Sequence, residues 1–289
     1  MLANNQRGFL EQCLGRALKT EVSIQSISPV SGGDINGAWR LSTTAGCFFV
    51  KHNTQAENQN FATEANSLRA LARCESMLVP RVIACERGQG DNYLLLEYLS
   101  LRPGNGSALG KALACLHRQH TGEAYGWPED NFIGRTVQRN KSMPSWASFF
   151  ARCRIEPQLI LANQRGANLG EPEFWVVRVE ALLANHQPEP SLLHGDLWAG
   201  NAALSDKGEA VLFDPASYYG DRETDLAMTQ LFGGFDHDFY RAYQAEWPLP
   251  TDCAQRQTLY QLYHVLNHFN LFGGFYRDRA LSMLELLPG

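Results

Sequence analysis

The sequence predicts an α+β chain of two unequal lobes: a small β-rich lobe over residues 1–99, a linking segment over 100–107, and a larger helical lobe over 108–289. Three observations carry this expectation. Short apolar or alternating runs crowd the first hundred residues, whereas apolar residues recur at helical spacing beyond them. The segment Ser100 to Ser107, S-L-R-P-G-N-G-S, places one proline and two glycines together, the composition of a hinge. Late in the helical half, two apolar strand-like runs each end on an aspartate, Asp196 and Asp214.

The elements follow in order. Phe9 to Leu18 reads as an opening helix and Val22 to Val30 as a strand running into Ser31–Gly37, S-G-G-D-I-N-G. Ala38 to Ser42 reads as the strand leaving that turn. Gly46 to Lys51 alternates, so Cys47, Phe49 and Lys51 share one face. Phe61, Ala65, Leu68 and Ala72 mark a helix with Glu64 at the edge of its apolar stripe. Tyr93 to Tyr98 is an apolar run of strand length. Beyond the hinge, helices are expected over Leu109–His120, Trp146–Ala162, Phe174–His186, Asp225–Phe232, Asp238–Trp247 and Gln255–Phe272.

The chemistry concentrates in Leu192–Asn201, L-L-H-G-D-L-W-A-G-N, and Val211–Asp214, V-L-F-D. Phosphoryl transfer from a nucleotide needs one carboxylate to orient the attacking hydroxyl and accept its proton. It also needs oxygen ligands for the divalent metal that neutralises the phosphates. Asp196, Asn201 and Asp214 stand at the spacing of the protein-kinase catalytic loop and its later metal-binding Asp, with Gly195 in place of Arg and Pro215 in place of Phe. G-D and D-P are also common turn dipeptides, so each acid alone is as readily a turn residue. All three at this spacing, each acid at a strand end, point to a protein-kinase-like bilobal fold. In that reading Asp196 is the catalytic base, Asn201 and Asp214 hold Mg²⁺, and ATP is the donor.

Other candidates take their places around this set. Gly32 and Gly33 lie between two strands, where backbone N–H groups approach phosphate unhindered by a Cβ, although G-G between strands is more often a plain hairpin turn and G-x-G-x-x-G is not matched. Lys51 alone reads as a snorkelling surface residue. With Glu64 thirteen residues on, it reads as the strand lysine and helix glutamate that position nucleotide phosphates. Glu97, Tyr98 and Leu99 close the last strand before the hinge, where backbone groups meet adenine. His194 is expected to brace the catalytic loop. His117/His120 and His264/His268 read as ordinary buried or capping histidines, since neither pair has the H-E-x-x-H glutamate. Asp225 has two open readings, a helix cap or a tie to the backbone of the catalytic loop.

Composition excludes some partners. A net charge of −5 offers no basic field for nucleic acid or an anionic membrane. Seven cysteines, odd in number and never spaced C-x-x-C, fit reduced thiols, and no apolar run nears eighteen residues. A cytoplasmic protein is expected; the sequence fixes no oligomeric state.

At this point the residues resemble a known family. H-G-D-L-W-A-G-N, D-P-A-S-Y-Y-G-D-R-E-T-D-L-A-M, G-G-D-I-N-G-A-W-R-L, H-V-L-N-H-F-N-L-F-G-G and G-W-P-E-D-N-F-I-G are similar to the fructosamine-3-kinase, or ketosamine kinase, family from about residue 6 to the C-terminus. Ala199 stands where most members carry Ser. The resemblance implies ATP- and Mg²⁺-dependent phosphorylation of a sugar hydroxyl, the 3-hydroxyl, on a ketoamine such as fructosamine or ribulosamine, a repair of glycated amines. The acceptor is then a small ketoamine, a glycated lysine or a glycated protein. Trp198, Asp221 and Glu223 are implied in the acceptor pocket. Two alternatives stay open: an aminoglycoside or choline phosphotransferase of the same fold, and a catalytically silent binding module.

Overall fold

In the computed structural model, which describes residues 4–30, 37–54, 61–104 and 106–288, the first hundred residues build one antiparallel sheet. Helix α1 (Asn4–Leu18) precedes strands β1 (Ile24–Pro29), β2 (Gly37–Thr43) and β3 (Gly46–Thr54); helix α2 (Phe61–Leu71) is followed by β4 (Val82–Gly88) and β5 (Asp91–Glu97). The strand order is β1-β2-β3-β5-β4. Both faces are covered. Leu10, Cys13 and Leu14 of α1, at helical spacing, pack with Phe48, Val50, Tyr93 and Leu95. Phe61, Ala65 and Leu68 of α2 pack on the opposite face with Leu94 and Leu96. This double cover explains why β5 reads as an unbroken apolar run instead of an alternating one.

The segment expected as a hinge is partly a strand. β6 (Leu101–Arg102) leads to α3 (Ser107–Gln119) and then a short hairpin, β7 (Asn131–Ile133) and β8 (Thr136–Gln138). The helix expected over Trp146–Ala162 is broken by a wider turn: α4 (Trp146–Phe150), a π-turn (Ala151–Ile155) and α5 (Glu156–Gln164). Helix α6 (Pro172–Leu182) and β9 (Ser191–Leu192) come next. A 3₁₀ turn (Ala199–Asn201) leads into β10 (Ala202–Ser205) and β11 (Ala210–Leu212), then β12 (Tyr219–Gly220) and α7 (Glu223–Thr229). Helices α8 (His237–Glu246), α9 (Cys253–Phe272) and α10 (Tyr276–Leu286) close the chain. β6 pairs with β10, which anchors the linking segment to the larger lobe. β12 pairs with β9, so the strand before Asp196 is held beside the one after Asp214.

The larger lobe is built around Trp146, Phe149, Phe150 and Tyr260, with the indole N–H of Trp146 donating to the Tyr260 hydroxyl at 2.9 Å. A second apolar cluster joins the lobes, Leu71, Cys74 and Met77 packing with Leu113, Leu116 and Leu212. Leu78 completes the seam through N–H donation to Ala210 and acceptance from Leu212. The helix that carries Glu64 is thereby fixed to the strand that leads to Asp214. Among the described residues, no helix is long and apolar enough to cross a membrane.

Candidate active site

Lys51 sits on the face of β3 turned away from α1, with its neighbour Phe49 on the wall of a cleft of about 860 Å³ between the lobes. Its Nζ lies 2.7 Å from Glu64 Oε1 and 2.7 Å from Asp214 Oδ1. Burial opposes the ammonium charge, but the carboxylates of Asp214 and Glu64 outweigh it and raise the Lys51 pKa above its ordinary range. Glu97, Tyr98 and Leu99 line the same cleft on the linking-segment side, beside Ala38 and Leu96. Gly32 and Gly33 lie outside the described residues.

The loop after β9 is held by its own polar groups. His194 Nε2 donates to the Phe213 carbonyl at 2.9 Å, and its Nδ1 accepts the Asp196 N–H at 3.2 Å. That pattern requires the neutral ring, and burial lowers the His194 pKa accordingly. Asp225 resolves its two readings. Its carboxylate accepts the N–H groups of His194 at 2.7 Å and Gly195 at 2.9 Å, and it pairs with His117 at 3.1 Å. Burial works against that charge, yet the His117 ring and the Gly195 N–H hold the Asp225 pKa below its usual value. Gly195 has φ 85°, and a Cβ there would come 2.0 Å from the Ala216 carbonyl oxygen, so no other residue fits.

These contacts aim Asp196 into the cleft. Burial first, then the negative charges of Asp214 and Asp225, push its carboxyl up to about 7. Asn201 Nδ2 donates to the Asp196 carbonyl at 2.9 Å, which turns its amide oxygen the other way. Asp214 adopts φ 59°, a left-handed backbone that non-glycine residues reach at a cost. Asn201 and Asp214 both line the cleft. One carboxylate and one carboxamide oxygen at a single site form a hard donor set that fits Mg²⁺.

Trp198 lines the cleft and is 36% exposed. Its ring folds over Gly200, where a Cβ would lie 2.2 Å away. Asp221 and Glu223 do not line the cleft, which corrects the expectation for them. The start of α7 turns these acids into its seam with α9. Glu223 gives both oxygens to Arg256 at 2.8 Å. Asp221 Oδ2 meets the Tyr260 hydroxyl and His186 Nε2, each at 2.6 Å.

The far wall of the cleft was missed by sequence reasoning: Phe232, Asn267, His268, Phe272 and Tyr276. Phe232, Phe272 and Tyr276 surround His268 at ring distances of 4.3, 5.6 and 5.2 Å. His268 Nδ1 donates to the His264 carbonyl at 2.8 Å, and burial lowers its pKa. The neutral ring thus keeps Nε2 as an acceptor. The available signal was His268 and Phe272 one turn apart on a helix face that also carries Asn267.

Comparison with known proteins settles the family. The sequence profile of fructosamine kinase matches residues 9–287. The chain belongs to the fructosamine kinase family. A relative named as a probable ketoamine kinase, from Synechocystis sp., is 46% identical over 265 residues, spanning 91% of this chain and 90% of its own. A solved structure provisionally named fructosamine-3-kinase, from Haemophilus somnus, superposes with a TM-score of 0.90 at 30% identity, covering 97% of each chain. An aminoglycoside phosphotransferase solved with ADP and hygromycin B shares the fold alone, with a TM-score of 0.63 at 15% identity over 98% of this chain and 99% of its own. As a fructosamine kinase the chain is an ATP-dependent phosphotransferase acting on ketoamines, which removes the reading as a silent binding module.

Proposed function

We propose that this kinase transfers the γ-phosphoryl group of ATP to the 3-hydroxyl of a fructosamine or ribulosamine, free or borne on a lysine, and so acts in the repair of glycated amines. The composition of the acceptor wall carries the reading. Beyond Asp196, that half of the cleft offers aromatic rings (Trp198, Phe232, Phe272, Tyr276), the carboxamide of Asn267 and the neutral acceptor of His268, with no further carboxylate among the described residues. A ketoamine carries one ammonium beside several neutral hydroxyls. Ring faces and one lone pair answer the ammonium, and polar tips answer the hydroxyls. An aminoglycoside, with several ammonium groups, calls for a denser acidic lining. The 3-hydroxyl follows the names of the relatives that share 30% identity.

Each residue then has a task. Asp196 aligns the acceptor hydroxyl and takes its proton. Lys51 binds the α- and β-phosphates, and Glu64 holds Lys51 in place. The backbone at Glu97–Leu99 meets adenine, and Gly32 and Gly33 approach the phosphates. Asn201 and Asp214 hold Mg²⁺, which when bound neutralises charge on the transferring group. Seven free cysteines support a reducing, cytoplasmic setting.

The test is a phosphorus–proton NMR correlation on the product formed from ATP and a fructosyl-lysine derivative. Phosphate on the 3-oxygen is expected. Phosphate on another oxygen overturns the regiochemistry, and no phosphorylated ketosamine overturns the reading.

A further inference from the structure

The hairpin β7–β8 and the π-turn lie outside every role assigned above, yet their side chains form one buried chain of hydrogen bonds that ends on the backbone just beyond Asp214. Arg154, on the π-turn, is fully buried with no carboxylate partner among the described residues. A buried cation without a counter-ion is costly. This one is met by the Tyr218 ring face at 3.8 Å, the carbonyls of Arg139 and Cys153, and Asn140 Oδ1 at 2.8 Å.

The direction of the whole chain follows from that cation. A guanidinium only donates, so Asn140 must turn its oxygen to Arg154 and its amino group away. Asn140 Nδ2 then donates to Asn131 Oδ1 at 2.8 Å, which forces Asn131 Nδ2 onto the Ser217 carbonyl at 2.9 Å. Gln138 is oriented independently. The Tyr263 hydroxyl donates to its Oε1 at 2.8 Å, while its Nε2 donates to Asn131 Oδ1 at 2.8 Å and to the Ala216 carbonyl at 2.9 Å. Asn131, Gln138 and Asn140 are each 1% exposed.

Ala216 and Ser217 are two and three residues past Asp214. The Ala216 carbonyl is also the group that presses against Gly195, and the Ala216 N–H donates to the His194 carbonyl at 2.9 Å. Ala216 is therefore gripped from both sides, by the catalytic loop and by the hairpin. The segment just before the hairpin reaches the opposite lobe, where Asn66, two residues beyond Glu64 on α2, donates to Glu129 at 2.7 Å.

We propose that Asn131 and Gln138, oriented by Asn140, Arg154 and Tyr263, are positioning residues for the metal ligand Asp214, setting the path of residues 214–217 against the catalytic loop. The proposal rests on Asp214 as an Mg²⁺ ligand. A left-handed aspartate is a strained conformation that its surroundings must impose, and two directed donors on the next peptides supply that constraint. Asn131 also lines the cleft, whereas Gln138 does not, so Gln138 carries the test.

The test is the Mg²⁺ concentration that gives half-maximal binding of a non-hydrolysable ATP analogue, followed by calorimetry, and beside it the Mg²⁺ concentration that gives half-maximal velocity, both independent of the fraction of protein correctly folded. Gln138→Met keeps the volume and deletes the donor; Gln138→Glu keeps the shape and turns an acceptor towards the Ala216 carbonyl. Both variants are expected to raise these concentrations by about 10–100-fold, the usual consequence of losing an outer partner of a metal ligand. The KM for the ketosamine should stay within about twofold, since only the metal side of the site moves. An unchanged Mg²⁺ requirement in both variants, with only thermal stability lowered, would overturn the proposal and leave the network a core filler. An unchanged Mg²⁺ requirement in Asp214→Ala would instead overturn the metal assignment, and the proposal with it.

Discussion

The ammonium of Lys51 lies 2.7 Å from the carboxylate of Asp214, joining the strand-rich lobe to the loop that follows β11. Glu64 stands at the same distance on the other side. Three side chains from two lobes thus share one charge cluster, and they should not act independently. Lys51→Ala is expected to lower kcat/KM by about 10²–10³, the cost of one preorganised electrostatic contact. Glu64→Ala should cost less, and the double variant little more than Lys51→Ala alone. Additive losses would show that Glu64 acts elsewhere.

Asp196 carries the pH dependence. With its carboxyl at about 7 in the free protein, kcat/KM should rise about tenfold per pH unit below that value and level off above it. Asp196→Asn should lower turnover by about 10²–10⁴ and remove that limb of the profile. A profile flat from pH 5 to 8 is the contrary result.

The same shift has a stability consequence of opposite sign. The folded carboxyl binds its proton more tightly than the ordinary carboxyl at 3.8, so the folded state holds more protons between 3.8 and about 7. Stability therefore falls as pH rises through that window. Asp196→Asn should melt at a higher temperature than the parent protein at pH 8, with the gap closing towards pH 4. A variant less stable at pH 8 would contradict the burial of that charge.

Asp225→Ala removes the acceptor of two loop N–H groups and leaves the buried His117 Nε2 without its partner. A loss of about 3–5 kcal/mol in urea unfolding is expected, as for other broken buried pairs. Gly195→Ala should fail more sharply in activity than in folding, because its Cβ meets the Ala216 carbonyl between the two catalytic segments. Near-parental activity in Gly195→Ala would mean that the loop geometry is wrong.

Much of this was legible in the residues, for identifiable reasons. Asp196, Asn201, Asp214 and Lys51 with Glu64 are fixed by spacing along the chain, since short loops and one strand–helix pair set their distances. The helix over Trp146–Ala162 was legible as an element, but its π-turn was not, because the apolar periodicity passes through Arg154 without a break. The hairpin at Asn131–Gln138 has strands of three residues, too short for any period to register. Asp221 and Glu223 misled because acids near a catalytic loop look available until Arg256, brought from α9 thirty-three residues later, takes Glu223, and Tyr260 and His186 take Asp221. The aromatic wall stayed hidden for the converse reason. His268 reads as core from its helical spacing, and only tertiary packing with Phe232 and Tyr276 sets it on the wall of the cleft.

The most direct measurement is the ratio of kcat/KM for a ribulosamine or fructosamine to that for kanamycin or choline, under one set of ATP and Mg²⁺ concentrations. A site whose acceptor wall is built of rings, an amide and one neutral imidazole should favour the ketosamine by orders of magnitude, since the wrong acceptor leaves buried polar groups unpaired. A ratio near one, or one that favours kanamycin, would contradict the account.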